Sequence, residues 1–332
     1  MDYQEAPQIL RDFLAYHETI QAHSKLTVDE YFLDLRNFFR FLKRERDQNL
    51  KDKKTDEIEI SDIDLDFVAS VNLRDIYNYM LYLSRERIRH PNSAKSDYGL
   101  NAASRARKLA AIRSFYNYLS AKTHQIENNP AKEVDSPRLK KSIPKYLTLE
   151  DSLCLLSNVS CRNPERDYCI LTLFLNCGLR ISELIGLNIK DIQGENLRVL
   201  GKGGKTRMLI LNDACQEALR DWLEVRQSIE GRDADALFLS ERQRRISRSG
   251  VHQLVKNHLK SVGLGEYSSH KLRHTAATLM LQNGVDIRAV QEVLGHEHLN
   301  TTEIYTHIDN EALRVAAKAN PLSKVKRVKE PE

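Results

Sequence analysis

Apolar residues recur every three to four positions along most of this chain, and the pattern turns strand-like in only one stretch. Tyr31, Phe32, Leu35, Phe38, Phe39 and Leu42 make one such stripe, and Ile9, Leu10, Phe13, Leu14 and Ile20 another. A 3.6-residue period describes a helix with one buried face, so these segments are expected to fold as amphipathic helices packed on one another. Only 13 Gly and 8 Pro interrupt 332 residues, which favours long helices. The exception is Asn196 to Lys202 and Thr206 to Leu211, two β-runs joined across Gly203-Gly204, a dipeptide suited to a tight hairpin. The fold class that follows is mainly α with a small antiparallel β-sheet.

At roughly 150 residues per domain this length favours two domains, each with its own core. Residues 1–128 read as a helical unit. Asn72 is placed to cap a third helix carrying Ile76, Met80 and Leu83, and Asn101 a fourth carrying Leu109, Ile112, Phe115, Tyr116 and Leu119. Residues 47–64 lose the period and read as a charge-rich loop. From Asn129 the run NPAKEVDSPRLKKSIP has three prolines and no periodicity, so 129–145 reads as a linker. Residues 146–308 form the second unit. It has helices from Leu149, over Glu165 to Cys177 with Gly178 as an αL cap, and over Asp213 to Ile229, Ser247 to Val262, Ser269 to Gln282 and Ile287 to Leu294. Residues 309–332 are an amphipathic tail, expected to dock on a neighbouring subunit.

Lys and Arg (51) exceed Asp and Glu (46) to give a net charge of +5, which permits a polyanionic partner without demanding one. The fourth helix carries Arg105, Arg107, Lys108 and Arg113 opposite its apolar stripe. That surface reads either as a solvated face or as one that contacts phosphates, and Arg138, Lys140 and Lys141 of the linker fit a phosphate backbone in the same way. No apolar run approaches the ~18 residues of a membrane span. The acidic start MDYQE lacks a secretory signal, and five Cys without a CxxC pair point to reduced thiols in a cytoplasmic protein.

Three stretches in the second unit carry chemistry: Gly178 to Leu184 (GLRISEL), His270 to His274 (HKLRH), and Leu294 to Tyr305. His270 and Arg273, at i and i+3, share a helix face at an N-terminus where Ser268-Ser269 supply a cap, a good setting for a phosphate. Arg180 follows Gly178 at the start of another short helix. Two guanidinium forks can hold both non-bridging oxygens of one phosphodiester. With that charge neutralised, a nucleophile and an acid for the leaving oxygen complete the requirement, and no metal or cofactor is needed. Tyr305 can be the nucleophile if cationic neighbours and a base assist a phenol whose ordinary pKa is about 10. Lys202 at the hairpin tip is placed to protonate the leaving oxygen, and Lys205 across the turn competes with it.

Each piece has a structural reading too. Arg180 with Glu183 fits a surface ion pair, His270 and His296 fit structural histidines, and Tyr305 fits a core or surface ring. A P-loop reading of GGKT at 203–206 fails because Val199 stands where glycine is required. A zinc site built on His270 and His274 lacks an HExxH pattern.

Taken in order, CGLRISELIGL (177–187), LGKGGKTRMLIL (200–211) and SSHKLRHTAATLMLQNGVDIRAVQEVLGHEHLNTTEIYTH (268–307) resemble the tyrosine recombinase, or phage integrase, family, and most closely its Xer-like branch. The likeness is looser at the fourth helix and the linker, and the 47–64 loop is longer than is usual for Xer proteins. The resemblance implies a two-domain DNA clamp, with a SAM-like helical core-binding domain and a catalytic domain. It implies that Arg180 and Arg273 bind the scissile phosphate, that His270 serves proton transfer at the nucleophile, and that His296 is a second phosphate donor. Lys202 becomes the general acid, Tyr305 the nucleophile that forms a 3′-phosphotyrosine, and Glu183 a structural support. It further implies double-stranded DNA with inverted half-sites, a Holliday junction, and a homotetramer on two sites or a heterotetramer with a related recombinase, with a possible DNA translocase or accessory protein. Chromosome or plasmid dimer resolution, in chromosome partition and cell division, is the expected task. Element integration or excision, DNA inversion, a type IB topoisomerase and a non-catalytic DNA-binding protein are the alternatives.

Overall fold

The computed structural model describes residues 3–87, 98–138, 145–201, 204–229, 233–265, 267–295, 315 and 317–327. The chain divides into two compact units, Met1–Lys141 and Ser142–Glu332. In the first, α1 (Gln8–Ala15), α2 (Lys25–Arg46), α3 (Leu65–Ala69), α4 (Leu73–Arg85) and α5 (Ala102–Asn117) enclose one apolar core. The α2 stripe read from the sequence faces inward: Phe32, Leu35, Phe38 and Phe39 are all fully buried. Asn72 closes a capping box with Asp75, and the Asn101 side chain accepts from the Ser104 N–H, so both expected caps are in place.

Residues 47–64 form the expected charge-rich loop, pinned to the unit by buried Ile58, Ile60 and Ile63 and by the Arg40 Nε, which donates to the Ile58 carbonyl at 2.8 Å. Two other expectations for this unit are corrected. The basic surface of α5 is largely paired inside the unit. Lys108 is buried with its Nζ 2.7 Å from Asp34 Oδ1, and Arg107 donates to Asp34 and Glu30. Burying a carboxylate as deeply as Asp34 requires such partners, which is why Lys108 turns inward, while Arg107 reaches Asp34 from the surface. Arg113 donates to Ser136 Oγ at 2.7 Å, while Arg105 is half-buried. Finally, the presumed linker begins as core: Ala131 and Val134 pack into the first unit, and Arg138 beyond them is exposed. Lys140 and Lys141 lie outside the described residues.

The second unit is built on α7 (Pro164–Cys177), buried without a break from Arg166 to Cys177, as a central helix must be. Around it stand α6 (Leu149–Ser157), α8 (Ile181–Gly186), α9 (Asp213–Gln227), α10 (Arg248–Ser261), α11 (Ser269–Gln282) and α12 (Ile287–Leu294), with α9 and α11 packed against it. Gly178 ends α7 at φ +58°, the left-handed cap read from the sequence. A three-stranded antiparallel sheet, β1 (Ile192–Gln193), β2 (Asn196–Leu200) and β3 (Thr206–Ile210), runs in the order β1-β2-β3. Leu200 pairs with Thr206, which places Gly201 to Lys205 in the connection.

The tail expected on a neighbouring subunit is, where described, seated on its own unit. Leu322 is fully buried in the core, the Asn320 amide donates to the Leu175 carbonyl at 3.0 Å, and the Ala214 N–H donates to the Ser323 carbonyl at 2.8 Å. A leucine and two backbone-matched polar groups make this local site a better partner than water. No helix among the described residues is long and apolar enough to cross a membrane.

Candidate active site

Arg180, Glu183 and Arg273 come together at the end of α12. Gly178 turns the chain out of α7, and Arg180 takes the extended N-cap position of α8 (φ −75°, ψ 150°), so its side chain leaves the turn rather than following the helix. Glu183, one turn later and only 2% exposed, accepts from the Arg180 N–H at Oε2 (2.8 Å) and from Arg180 Nη1 at Oε1 (2.8 Å). Arg273 projects from the start of the second turn of α11. Its Nη1 donates to the Gly178 carbonyl at 2.5 Å and its Nη2 to the Leu294 carbonyl at 2.6 Å. Arg180 Nη2 reaches the neighbouring Gly295 carbonyl at 3.0 Å. Carbonyls at a helix C-terminus lack intrahelical partners and carry partial negative charge, so they attract and aim guanidiniums.

A third guanidinium completes this cluster. Arg207 on β3 grips Glu183 with both terminal nitrogens, at 2.8 Å to Oε1 and 3.0 Å to Oε2, and its Nε donates to the Val293 carbonyl at 3.1 Å. Arg207 is absent from the sequence-derived set. Strand alternation held the signal: Arg207 shares a face with Leu209 and lies opposite buried Val199, so it points inward.

Burial pushes the Glu183 carboxyl up, but the Arg207 bonds, the Arg180 N–H, the Arg207 charge and the Arg180 side-chain bond outweigh it and hold it below the ordinary range. Burial, with the Arg180 charge next, lowers Arg273 to about 10, which leaves it cationic at neutral pH. Each guanidinium has five N–H donors, so Arg180 and Arg273 keep donors beyond those bonds for an anion. Three cations around one anion leave a net positive, preorganised site, the electrostatic requirement for a phosphodiester in transition.

His270 is exposed on the first turn of α11, three residues before Arg273. The expected serine cap takes another form: Ser268 occupies the N-cap position without a side-chain cap bond, and buried Ser269 pairs its hydroxyl with His252 Nδ1 at 3.3 Å. Lys205 is exposed, and its carbonyl accepts from the Gly201 N–H at 2.8 Å. Lys202, His296 and Tyr305 lie outside the described residues. Away from this centre, Cys161, Asp167 and His258 place potential metal-ligand atoms within 4.8 Å of one another. Asp167 already accepts from His258 Nε2 at 2.9 Å and Arg166 Nε at 2.8 Å, so the cluster is a closed hydrogen-bonded network.

Residues 145–312 match the phage integrase family. A tyrosine recombinase XerC from Caldanaerobacter subterraneus subsp. tengcongensis is 48% identical over 326 residues, covering 97% of this chain and 89% of that protein. The XerC of Pelobacter propionicus is 34% identical over 329 residues, covering 97% of each chain. Among solved structures, the XerH site-specific recombinase bound to its difH substrate gives a TM-score of 0.60 at 22% identity, covering 93% of this chain and 84% of that one. The Tn1549 transposon integrase bound to transposon right-end DNA gives 0.61 at 18% identity, covering 93% and 98%. These two likenesses establish the fold.

Proposed function

This chain belongs to the phage integrase family as an Xer-type tyrosine recombinase, and from that premise we propose that it resolves chromosome or plasmid dimers by exchanging strands between two DNA sites. Arg180 and Arg273 hold the non-bridging oxygens of the scissile phosphate. The Tyr305 oxygen attacks phosphorus and gives up its proton with help from His270, while His296 donates to the phosphate. Lys202 protonates the departing 5′ oxygen. The phosphodiester bond is thereby exchanged for a 3′-phosphotyrosine of similar energy, so no ATP is consumed. A 5′-hydroxyl from the partner site then attacks the phosphotyrosine, frees Tyr305 and builds the Holliday junction. The working form is a tetramer on two sites, each with inverted half-sites.

The observation that supports this reading is the gathering of Arg180 and Arg273 on buried Glu183 and the end of α12. The test uses a plasmid carrying two directly repeated copies of a site selected from bound duplexes. Wild-type protein is expected to yield two product circles and Tyr305→Phe none. Relaxation of a supercoiled plasmid that lacks the site would assign the chain to topoisomerase chemistry instead. DNA binding with no covalent adduct would make it a binding protein.

A further inference from the structure

Arg207 ties three elements together, and each of them runs directly into a residue of the proposed reaction. Its strand belongs to the hairpin whose connection starts at Gly201, the residue before Lys202. Its terminal nitrogens hold Glu183, which also receives Arg180. Its Nε holds the Val293 carbonyl in the last turn of α12, two residues before Gly295 and three before His296. The fit is close. A Cβ on Gly295 would lie 3.0 Å from Arg207 Nη1 and 3.1 Å from Cζ, at a φ of +64° that L side chains rarely adopt. Glycine there lets the chain pass flat against the guanidinium. All three Arg207 nitrogens donate to protein acceptors, two of them to Glu183 and one to the end of α12.

We propose that Arg207 is a positioning residue that staples the β2–β3 hairpin to Glu183 and to the end of α12, and so sets where Lys202 meets the phosphate held by Arg180 and Arg273. This rests on the recombinase reading above. A planar fork with a third donor at Nε is the one side chain that satisfies both Glu183 oxygens and a carbonyl together. Lysine, a point charge with no fork, cannot.

The test measures single-turnover formation of the covalent adduct on nicked site DNA with the full chain. It uses Arg207→Ala, Arg207→Gln and Arg207→Lys, with half-site binding followed in parallel. A second DNA has sulfur in place of the 5′ bridging oxygen, and its thiolate departs without a proton. Arg207→Ala is expected to cleave ordinary DNA about 100-fold more slowly, the scale on which a misplaced catalytic group is felt. Half-site binding stays unchanged, Arg207→Lys recovers part of the rate, and the defect largely disappears on the sulfur-bridged DNA because no acid is then needed. Wild-type cleavage rates in Arg207→Ala would overturn the inference. So would an equal loss on both DNAs, or a loss of half-site binding in step with cleavage. Should Arg207→Ala fail to fold, Arg207→Gln and Arg207→Lys, which keep an unbranched stem with a polar head, carry the same two-substrate comparison. Absence of an adduct with wild-type protein on both DNAs would overturn the recombinase reading itself.

Discussion

Arg273→Ala is expected to slow covalent capture of DNA by about a thousandfold, the upper range for loss of one preorganised donor at a developing charge. Four features of the site lead to that size. The guanidinium is fixed by carbonyls at 2.5 and 2.6 Å, it is nearly buried, its pKa of about 10 keeps it charged at neutral pH, and Arg180 stands beside it. Half-site binding should change far less, because Arg273 supplies one phosphate contact among many. The slope of log binding constant against log salt should flatten by about 1. Arg273→Lys should remain strongly defective, since it restores charge without a fork held by two carbonyls. Adduct formation by Arg273→Ala within tenfold of wild type would show that the phosphate is held elsewhere.

Glu183→Gln is expected to destabilise the second unit by about 3 kcal/mol near neutral pH, because it leaves three guanidiniums around a group that no longer answers their charge. Trp222, the sole tryptophan of the chain, is 1% exposed in that unit's core, so its fluorescence in a urea titration reports the transition. The pH dependence has a definite sign. The Glu183 pKa in the folded chain lies below its ordinary 4.5, so the carboxylate's contribution is complete above about 4.5 and is lost as pH falls through the lowered folded value. The gap between wild type and Glu183→Gln should therefore be full at pH 7 and close in strong acid. A gap independent of pH would mean that the carboxylate charge is not what the arginines require.

Local periodicity made much of the fold readable. The α11 and α12 boundaries, Ser269–Gln282 and Ile287–Leu294, coincide with the apolar pattern, and the left-handed Gly178 follows from its place after the last apolar residue of α7. Elements too short to repeat their period were not readable: β1 is only Ile192–Gln193, and α3 only Leu65–Ala69. Pairings between distant residues also left no local trace. Lys108 looked free for a phosphate because Asp34, its partner, lies 74 positions away on another helix. Arg180 with Glu183 was visible as an i,i+3 pair, whereas the Arg207 grip on the same carboxylate spans 24 positions and required the strand to be folded back. The tail shows the same limit, because its own unit offered Leu322 a buried seat that composition could not reveal.

Mass mapping of the covalent complex trapped on nicked DNA tests most directly whether the arginine cluster serves capture of a phosphorus by a phenol. One peptide containing Tyr305 is expected to carry nucleotides through their 3′ phosphate, in wild-type protein and not in Arg273→Ala at the same exposure. Nucleotides joined through a 5′ phosphate, or attached to any residue other than Tyr305, would contradict it.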